Sequence, residues 1–165
     1  MIRIATEADV PQILAIYAPY VTDTTITFEY NVPTEAEFLT RFREITRQFP
    51  WLVWEEDGRV LGYAYGSLPF ERAAYRWCGE VSVYLHPDAH RRGIGTALYR
   101  ALEEIMRLQG YRSVYAIITA GNTGDINTIG SSGYIQNSGT LTLYGGNISG
   151  IRGGGVVSNN ADATF

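Results

Sequence analysis

Three stretches of the chain place apolar residues at the i, i+3, i+4 spacing of an amphipathic helix. The first helix is predicted from about residue 10 onward. The second is predicted after Pro33, where Thr34 and Glu37 fit a capping box. The third is predicted over 93–109 and ends at Gly110. The apolar faces consist of Val10, Ile13, Leu14, Tyr17 and Val21, then Phe38, Phe42, Ile45 and Phe49, then Ile94, Leu98, Leu102, Ile105 and Met106.

Aromatic and β-branched runs predict the strands between these helices. Residues 51–56 and 59–67 flank Asp57-Gly58, which is a strong hairpin signal, so these two strands are expected to be antiparallel neighbours. Further strands are predicted over 80–85 and 111–119, on either side of the third helix. This order forms a β-α-β unit with parallel strands. The pattern therefore predicts an α/β fold with a mixed central sheet flanked by helices.

Length and composition argue against several classes of protein. A chain of 165 residues with 45% hydrophobic and 18% charged residues suits one soluble domain. No apolar run is long enough to span a bilayer and the N-terminus lacks a signal-peptide core, so a cytoplasmic protein without a membrane partner is expected. The net charge of −4 argues against nucleic-acid binding. Cys78 is the single cysteine, and Cys78, His86 and His90 are interpreted as packing or turn residues, so no metal site is expected.

The composition changes near residue 120. Residues 1–119 contain 7 of the 18 glycines, 27 of the 30 charged residues and one asparagine. Residues 120–165 contain 11 glycines, six asparagines and three charged residues. We therefore divide the chain into a domain over 1–119 and an atypical Gly/Asn/Ser-rich tail over 120–165 of uncertain order.

A glycine-bearing turn precedes the third helix and is a candidate anion site. The segment His90-Arg91-Arg92-Gly93-Ile94-Gly95-Thr96 joins the predicted strand over 80–85 to that helix. Two glycines and a helix N-terminus can bind a phosphate or pyrophosphate through main-chain N–H groups. Leu98 stands where a dinucleotide fingerprint has its third glycine, and no Gly-Lys-Ser/Thr follows as in a P-loop. On spacing alone, an anion site and an ordinary strand-to-helix turn fit equally well.

This segment resembles the acetyl-CoA loop of the GNAT acetyltransferase superfamily, Gln/Arg-x-x-Gly-x-Gly/Ala, with His90 in place of the usual first residue. Within that superfamily, the chain up to residue 119 is similar to the phosphinothricin and methionine sulfoximine N-acetyltransferases. The similarity is carried by the blocks IRIATEADVPQILAIY, TTITFEY, WLVWEEDGRVLGYAYGSLPFERAAYRW and GEVSVYLHPDAHRRGIGTALYRAL, in that order.

The resemblance implies a GNAT fold, acetyl-CoA as the cosubstrate and a small amino-acid-like amine as the acceptor. Main-chain groups of Val83, Tyr84 and Leu85 would hold the pantetheine arm. The pyrophosphate would lie on Arg91, Arg92, Gly93, Ile94, Gly95 and Thr96. Asn122 sits at the spacing of a further cofactor-binding residue. A homodimer is left open.

Glu80 is the candidate general base, because it opens the strand that would carry the cofactor and matches the glutamate that the family is thought to use. The alternative interpretation is an ordinary carboxylate at a strand edge. Direct transfer requires no nucleophile, in agreement with the lack of a Cys-His or Ser-His arrangement. Residues that match acceptor-side positions of the family are Phe28, Glu29, Arg72, Tyr75 and Arg76, and each could equally be a solvated charge or a packed aromatic ring.

The tail admits two interpretations. It is either a divergent end that still supplies strands over 140–144 and 155–158, or an unrelated segment joined near residue 120, which the composition favours. Residues 121–133 offer no apolar stripe for the family's fourth helix, and the later part is similar to coils of a parallel β-helix surface protein. Two rivals to the acetyltransferase function follow: a CoA-binding hybrid chain that turns over poorly, and a structural protein defined by the tail.

Overall fold

The computed structural model describes residues 1–117, 133–137 and 157–159. Single 3-10 turns occur at Glu7–Asp9, Ala73–Tyr75 and Pro87–Ala89. Among these described residues, no helix combines the length and the apolarity needed to cross a membrane. The main elements, in chain order, are β1 (Ile2–Ile4), α1 (Val10–Thr22), α2 (Glu35–Thr46), β2 (Trp51–Glu56), β3 (Arg59–Ser67), β4 (Cys78–Leu85), α3 (Ile94–Leu108), β5 (Ser113–Ile117), β6 (Gly133–Asn137) and β7 (Val157–Asn159).

The strands form one mixed sheet whose spatial order equals their order in the chain. Strands β1 to β4 pair antiparallel, and β5 pairs parallel with β4. Strands β6 and β7 continue the sheet in the parallel sense, with Tyr115 opposite Tyr134 and Ile135 opposite Val157. The mixed sheet flanked by helices confirms the predicted fold class.

Local sequence signals explain the first helices and the hairpin. The Thr34 hydroxyl accepts from the Glu37 N–H, and the Glu37 carboxylate accepts from the Thr34 N–H at 2.7 Å, which is the predicted capping box. Asp57 and Gly58 both have positive φ, at 49° and 78°, as the tight turn of a two-residue hairpin requires. These contacts lie within a few residues, so the sequence specifies them directly.

Alternation along β2 divides the core into two layers. Trp51 and Val53 pack against α1 and α2, whereas Leu52 between them packs on the opposite face against α3. The first layer is centred on Ile13, Tyr17, Phe38, Phe42, Trp51 and Tyr63, and the second on Leu52, Ala64, Ile94, Leu98, Leu102 and Met106. The sheet is therefore covered on both faces, and a functional site is expected at the edges or ends of its strands.

The predicted element bounds are close to those observed. Strand β4 begins two residues earlier than expected, at Cys78, and β5 begins two residues later than expected, at Ser113, while residues 118–119 lie outside the described residues. Gly79 lies beneath α3, where an added Cβ would be 2.2 Å from Met106 Cε. Strand β6 was not predicted, and β7 overlaps the expected strand over 155–158. The predicted strand over 140–144 and residues 121–132, where the sequence lacks the apolar stripe of a fourth helix, lie outside the described residues.

An ion-pair cluster joins β1, β2 and the start of α1. The Arg3 guanidinium donates to both Asp9 oxygens, at 2.8 and 2.7 Å, and its Nε donates to Glu55 at 2.6 Å. The Thr6 N–H also donates to Asp9, at 2.7 Å. Asp9 is only 5% exposed. The Arg3 partner lowers the pKa of Asp9 from 3.8 to about 2, so the folded state favours the ionised carboxylate.

Replacing this carboxylate should destabilise the fold. The pKa is depressed in the folded state, so the stabilisation is present above pH 3.8 and is lost as the pH falls toward 2. Asp9→Asn should therefore lower the unfolding free energy at pH 7 by about 1–2 kcal/mol and flatten its decline below pH 4. Urea unfolding from pH 2 to pH 7 measures both effects. Glu7→Gln, which removes an exposed partner of Arg43, should change little, and an equal loss in both variants would contradict the assignment.

Candidate active site

The two parallel strands at the centre of the sheet diverge. Residues Cys78–Glu80 of β4 have partners Ser113–Tyr115 in β5. Beyond Glu80, β4 continues to Leu85 paired with β3 on one side, and the described registers give it no partner in β5. A wedge therefore opens between the strands, with one edge of β4 facing into it.

Hydrogen-bond alternation identifies the main-chain groups that face this wedge. The His86 N–H donates to the Leu61 carbonyl at 2.9 Å, which places His86 in a hydrogen-bonded pair with β3. Antiparallel pairs alternate, so Tyr84 also directs its main-chain groups to β3, whereas Val83 and Leu85 direct theirs to the wedge. The same parity holds at Trp77, whose carbonyl accepts from the Arg112 N–H on the β5 side. Of the three predicted pantetheine positions, Val83 and Leu85 thus offer main-chain groups to a ligand.

The predicted anion loop lies at the end of the wedge and begins α3. Arg91 and Gly93 have positive φ, 59° and 76°, so the chain turns sharply twice before the helix. An added Cβ on Gly93 would meet nothing within 4 Å, so the turn is open on that side. The N–H groups of Ile94, Gly95 and Thr96 form the first helical turn, where they lack intrahelical acceptors and carry the positive end of the helix dipole. The predicted residues thus form an anion-binding geometry.

The two arginines of this loop have different environments. Arg92 donates to both carboxylate oxygens of Glu56, at 2.7 and 2.9 Å, which fixes the loop to the end of β2. Arg91 is exposed. Arg91 is therefore available to a phosphate, whereas Arg92 primarily holds the loop in place.

Glu80 lies where the wedge begins. It is opposite Ser67 in β3 and Tyr115 in β5, and its side chain shares a sheet face with Tyr65 and Tyr84, on the side of α1 and α2. Burial raises the pKa of Glu80 above its usual value of 4.5. A carboxylate in this environment is a stronger proton acceptor than a solvated glutamate, as a general base requires.

The loop between α1 and α2 places one predicted acceptor residue near this face. Phe28 is 78% exposed, whereas Glu29 is half-buried and pairs with Arg41 of α2 at 2.6 Å. Arg41 also interacts with the Tyr17 hydroxyl through its positive charge. Arg41 was not among the predicted site residues. Its position three residues after Phe38, within the apolar stripe of α2, could have indicated a partly buried charge that needs a partner.

The loop between β3 and β4 contributes aromatic contacts. The Tyr75 ring packs on Phe70 at 4.7 Å, and Phe70 lies 6.3 Å from Tyr115, which neighbours Glu80. Arg76 lies over the Trp77 ring at 5.1 Å and is exposed, as is Arg72 at the start of the preceding turn. Tyr75 is thus linked to the Glu80 region by packing, and the two arginines stand at its solvent side.

Other candidate groups add little to the site. Cys78 accepts a long contact of 3.8 Å from the Tyr115 hydroxyl, which is a packing environment. In the part of the chain that the structure describes, no group of three or more His, Cys, Asp or Glu residues could hold a metal ion. Asn122, predicted to bind the cofactor, lies outside the described residues.

Comparison with known sequences identifies relatives of this chain. The model of the acetyltransferase (GNAT) domain matches residues 2–139. A phosphinothricin N-acetyltransferase of Alcaligenes faecalis is 36% identical over 148 residues, which are 87% of this chain and 74% of the relative. The L-methionine sulfoximine/L-methionine sulfone acetyltransferase of Pseudomonas paraeruginosa is 40% identical over 129 residues, which are 76% of this chain and 74% of the relative.

Solved structures agree with the sequence comparison. A ribosomal-protein-alanine N-acetyltransferase from Brucella melitensis superposes with a TM-score of 0.72 at 35% identity, over 74% of this chain and 76% of its own. A GNAT phosphinothricin acetyltransferase from Sinorhizobium meliloti, solved in complex with AcCoA, gives 0.69 at 40% identity, over 72% of this chain and 65% of its own. The family model, the sequence relatives and the solved structures agree, and the chain belongs to the GNAT family of N-acetyltransferases.

Proposed function

We propose that this chain transfers the acetyl group of acetyl-CoA to the amine of a small amino-acid-like acceptor of the phosphinothricin or methionine sulfoximine type. The observation that carries the proposal is that one strand, β4, holds both the candidate base and the main-chain edge that could bind the cofactor. Strand β4 carries the half-buried Glu80 as its third residue and ends with the open edge at Val83 and Leu85. At about 3.3 Å per residue, Glu80 and Val83 are about 10 Å apart along the strand.

The cofactor would follow this edge into the glycine loop. A pantetheine amide needs a donor and an acceptor, and the main chain of Val83 in the wedge offers both. The pyrophosphate would accept from the N–H groups of Ile94, Gly95 and Thr96 at the N-terminus of α3, with Arg91 adding a positive charge. No metal is required, because the helix terminus and the arginine supply the positive field.

The chemistry proposed for Glu80 is deprotonation of the acceptor ammonium, directly or through a water. An α-ammonium has a pKa of about 7.7–8.0, so a carboxylate with a raised pKa is an adequate base. The free amine then attacks the thioester carbonyl carbon, forming the C–N bond. Collapse of the tetrahedral intermediate breaks the C–S bond, and the CoA thiolate leaves and takes up the proton that the attacking nitrogen loses, which leaves a neutral amide and CoA thiol.

We place the amine acceptor on the sheet face that carries Glu80. Tyr75, through Phe70 and Tyr115, would form an apolar wall near Glu80, and Phe28 would add an exposed ring. Arg72 and Arg76 are exposed cations that could pair with the carboxylate of an amino-acid-like substrate. Glu29 would act indirectly, because its carboxylate is already paired with Arg41.

One observation favours a second candidate, a hybrid chain that binds CoA but turns over poorly. The composition changes near residue 120, before the region expected to close the acceptor side. Both candidates predict acetyl-CoA binding. They differ in thiol release with phosphinothricin and methionine sulfoximine as acceptors, which the enzyme would show and the hybrid would not.

A pair of glycine variants tests the cofactor loop. Gly93 and Gly110 both have positive φ, 76° and 92°, and flank α3 at opposite ends. Alanine at either position costs about 1–2 kcal/mol of backbone strain, but only at Gly93 does the change reshape the anion loop. Calorimetric titration should show acetyl-CoA affinity at least about tenfold weaker for Gly93→Ala, corresponding to about 1.4 kcal/mol, and nearly unchanged for Gly110→Ala. Equal affinities in the two variants would exclude this loop as the site.

The general base is tested by Glu80→Gln. Positioned bases contribute about a hundredfold to ten-thousandfold, so the turnover rate at pH 7 should fall by about that factor while acetyl-CoA affinity is retained. The wild-type rate should decline as the pH falls through the raised pKa of Glu80, because the base becomes protonated, whereas the rate of the variant should already decline below about pH 8, where the acceptor amine becomes protonated. The difference should shrink above pH 8, where the amine is already neutral.

Thiol release from pH 5 to pH 9 measures both effects. Glu44→Gln, an exposed carboxylate on α2, is the matched control and should behave like the wild type. A wild-type rate at pH 7 in the Glu80 variant would return Glu80 to the role of a strand-edge carboxylate.

A further inference from the structure

A single hydroxyl of α1 contacts both ends of the segment between β4 and the anion loop. Tyr20, half-buried near the C-terminal end of α1, donates its hydroxyl hydrogen to the Leu85 carbonyl at 2.7 Å. The same oxygen lies 3.4 Å from Nε2 of His90, the first residue of the loop. The Tyr20 ring also packs edge-on against Tyr84, with centroids 5.2 Å apart. Tyr20 thus joins α1 to the last residue of β4 and to the loop.

The hydrogen positions in this cluster follow from its chemistry. A carbonyl oxygen can only accept, so the one Tyr20 hydrogen is committed to Leu85. The contact to His90 then requires the imidazole to donate from Nε2, with the Tyr20 oxygen as acceptor. Burial raises the pKa of Tyr20, which keeps the hydroxyl protonated. The arrangement is a short chain of two hydrogen bonds, from His90 to Tyr20 to Leu85.

The Leu85 carbonyl, which accepts from Tyr20, is one of the main-chain groups that face the wedge. Without Tyr20, the residues that the structure describes give the Leu85 carbonyl no partner on this side, because β5 no longer pairs with β4 there. The residues between Leu85 and the loop form a 3-10 turn held by its own hydrogen bonds, from Ala89 N–H to His86 and from His90 N–H to Pro87. Such a turn can move as a unit, and Tyr20 fixes both of its ends to α1.

We propose that Tyr20 is a positioning residue for the cofactor site, which sets the anion loop relative to the open edge of β4 through Leu85 and His90. The inference rests on the proposed binding of acetyl-CoA in this wedge. Tyr20 does not touch the reacting atoms. It aligns the two halves of the site, the main chain of Val83 and the N-terminus of α3, so that one extended ligand can reach both.

Removal of the hydroxyl tests the alignment. Tyr20→Phe keeps the ring against Tyr84, and loss of the two hydrogen bonds should weaken acetyl-CoA binding about three- to tenfold in calorimetric titration. Thr22→Val is the matched control, because it removes a hydroxyl from the same turn of α1 that bonds only to Ala18, at 3.3 Å. Hydrogen exchange over 86–93 should become faster in Tyr20→Phe and stay unchanged in Thr22→Val.

Variants at His90 distinguish positioning from general packing. His90→Leu removes the donor and should weaken binding, whereas His90→Gln supplies an amide donor and should restore most of the affinity. The losses in Tyr20→Phe and His90→Leu should not add in the double variant, because both break the same chain of hydrogen bonds. A mere packing role would give neither the rescue by glutamine nor this coupling.

The outcomes distinguish a failure of the proposed function from a failure of the positioning role of Tyr20. If the wild type does not bind acetyl-CoA, the proposed function fails and this inference fails with it. If the wild type binds and Tyr20→Phe binds equally well, only the positioning role is overturned. Equal losses in Tyr20→Phe and Thr22→Val, or additive losses with His90→Leu, would also overturn it.

Discussion

The divergence of β4 from β5 is the constraint on which the site depends. A strand in the interior of a sheet normally satisfies its main-chain groups on both sides, but β4 loses its neighbour after Glu80. The N–H and C=O groups at Val83 are then directed into the wedge. An extended ligand with amide groups can satisfy them as a strand would, which is why we propose the CoA site at this open edge.

Alternate residues of β4 face different parts of the structure. Even-numbered residues of β4, including Glu80 and Tyr84, place their side chains with α1 and α2, where the acceptor residues lie. Odd-numbered residues place their side chains toward α3, and their main chains face the wedge. The proton acceptor and the cofactor contacts can thus occupy adjacent positions without competing for space. The two core layers cover both faces of the sheet and so hold β4 in this position.

Contacts between distant segments hold this arrangement in place. Arg92 bonds to Glu56 and Tyr20 to Leu85, which joins segments far apart in the chain, and Arg41 bonds to Glu29 in the loop before its own helix. Their common effect is to fix loops rather than helices or strands. The glycine loop in particular is held from β2 and from α1, so its N–H groups can point outward without being free to rearrange. A preorganised anion site binds its ligand with less loss of conformational entropy.

The local signals of the sequence determined the helices, the hairpin, the glycine turn and the candidate base, because each depends on residues within a few positions of one another. Thr34 with Glu37, and Asp57 with Gly58, are of this kind. Only the tertiary structure decided that β4 and β5 diverge after Glu80, that Arg41 partners Glu29, and that Tyr20 spans 65 residues to reach Leu85. These features arise when separate elements pack together, and no periodicity within one element encodes them.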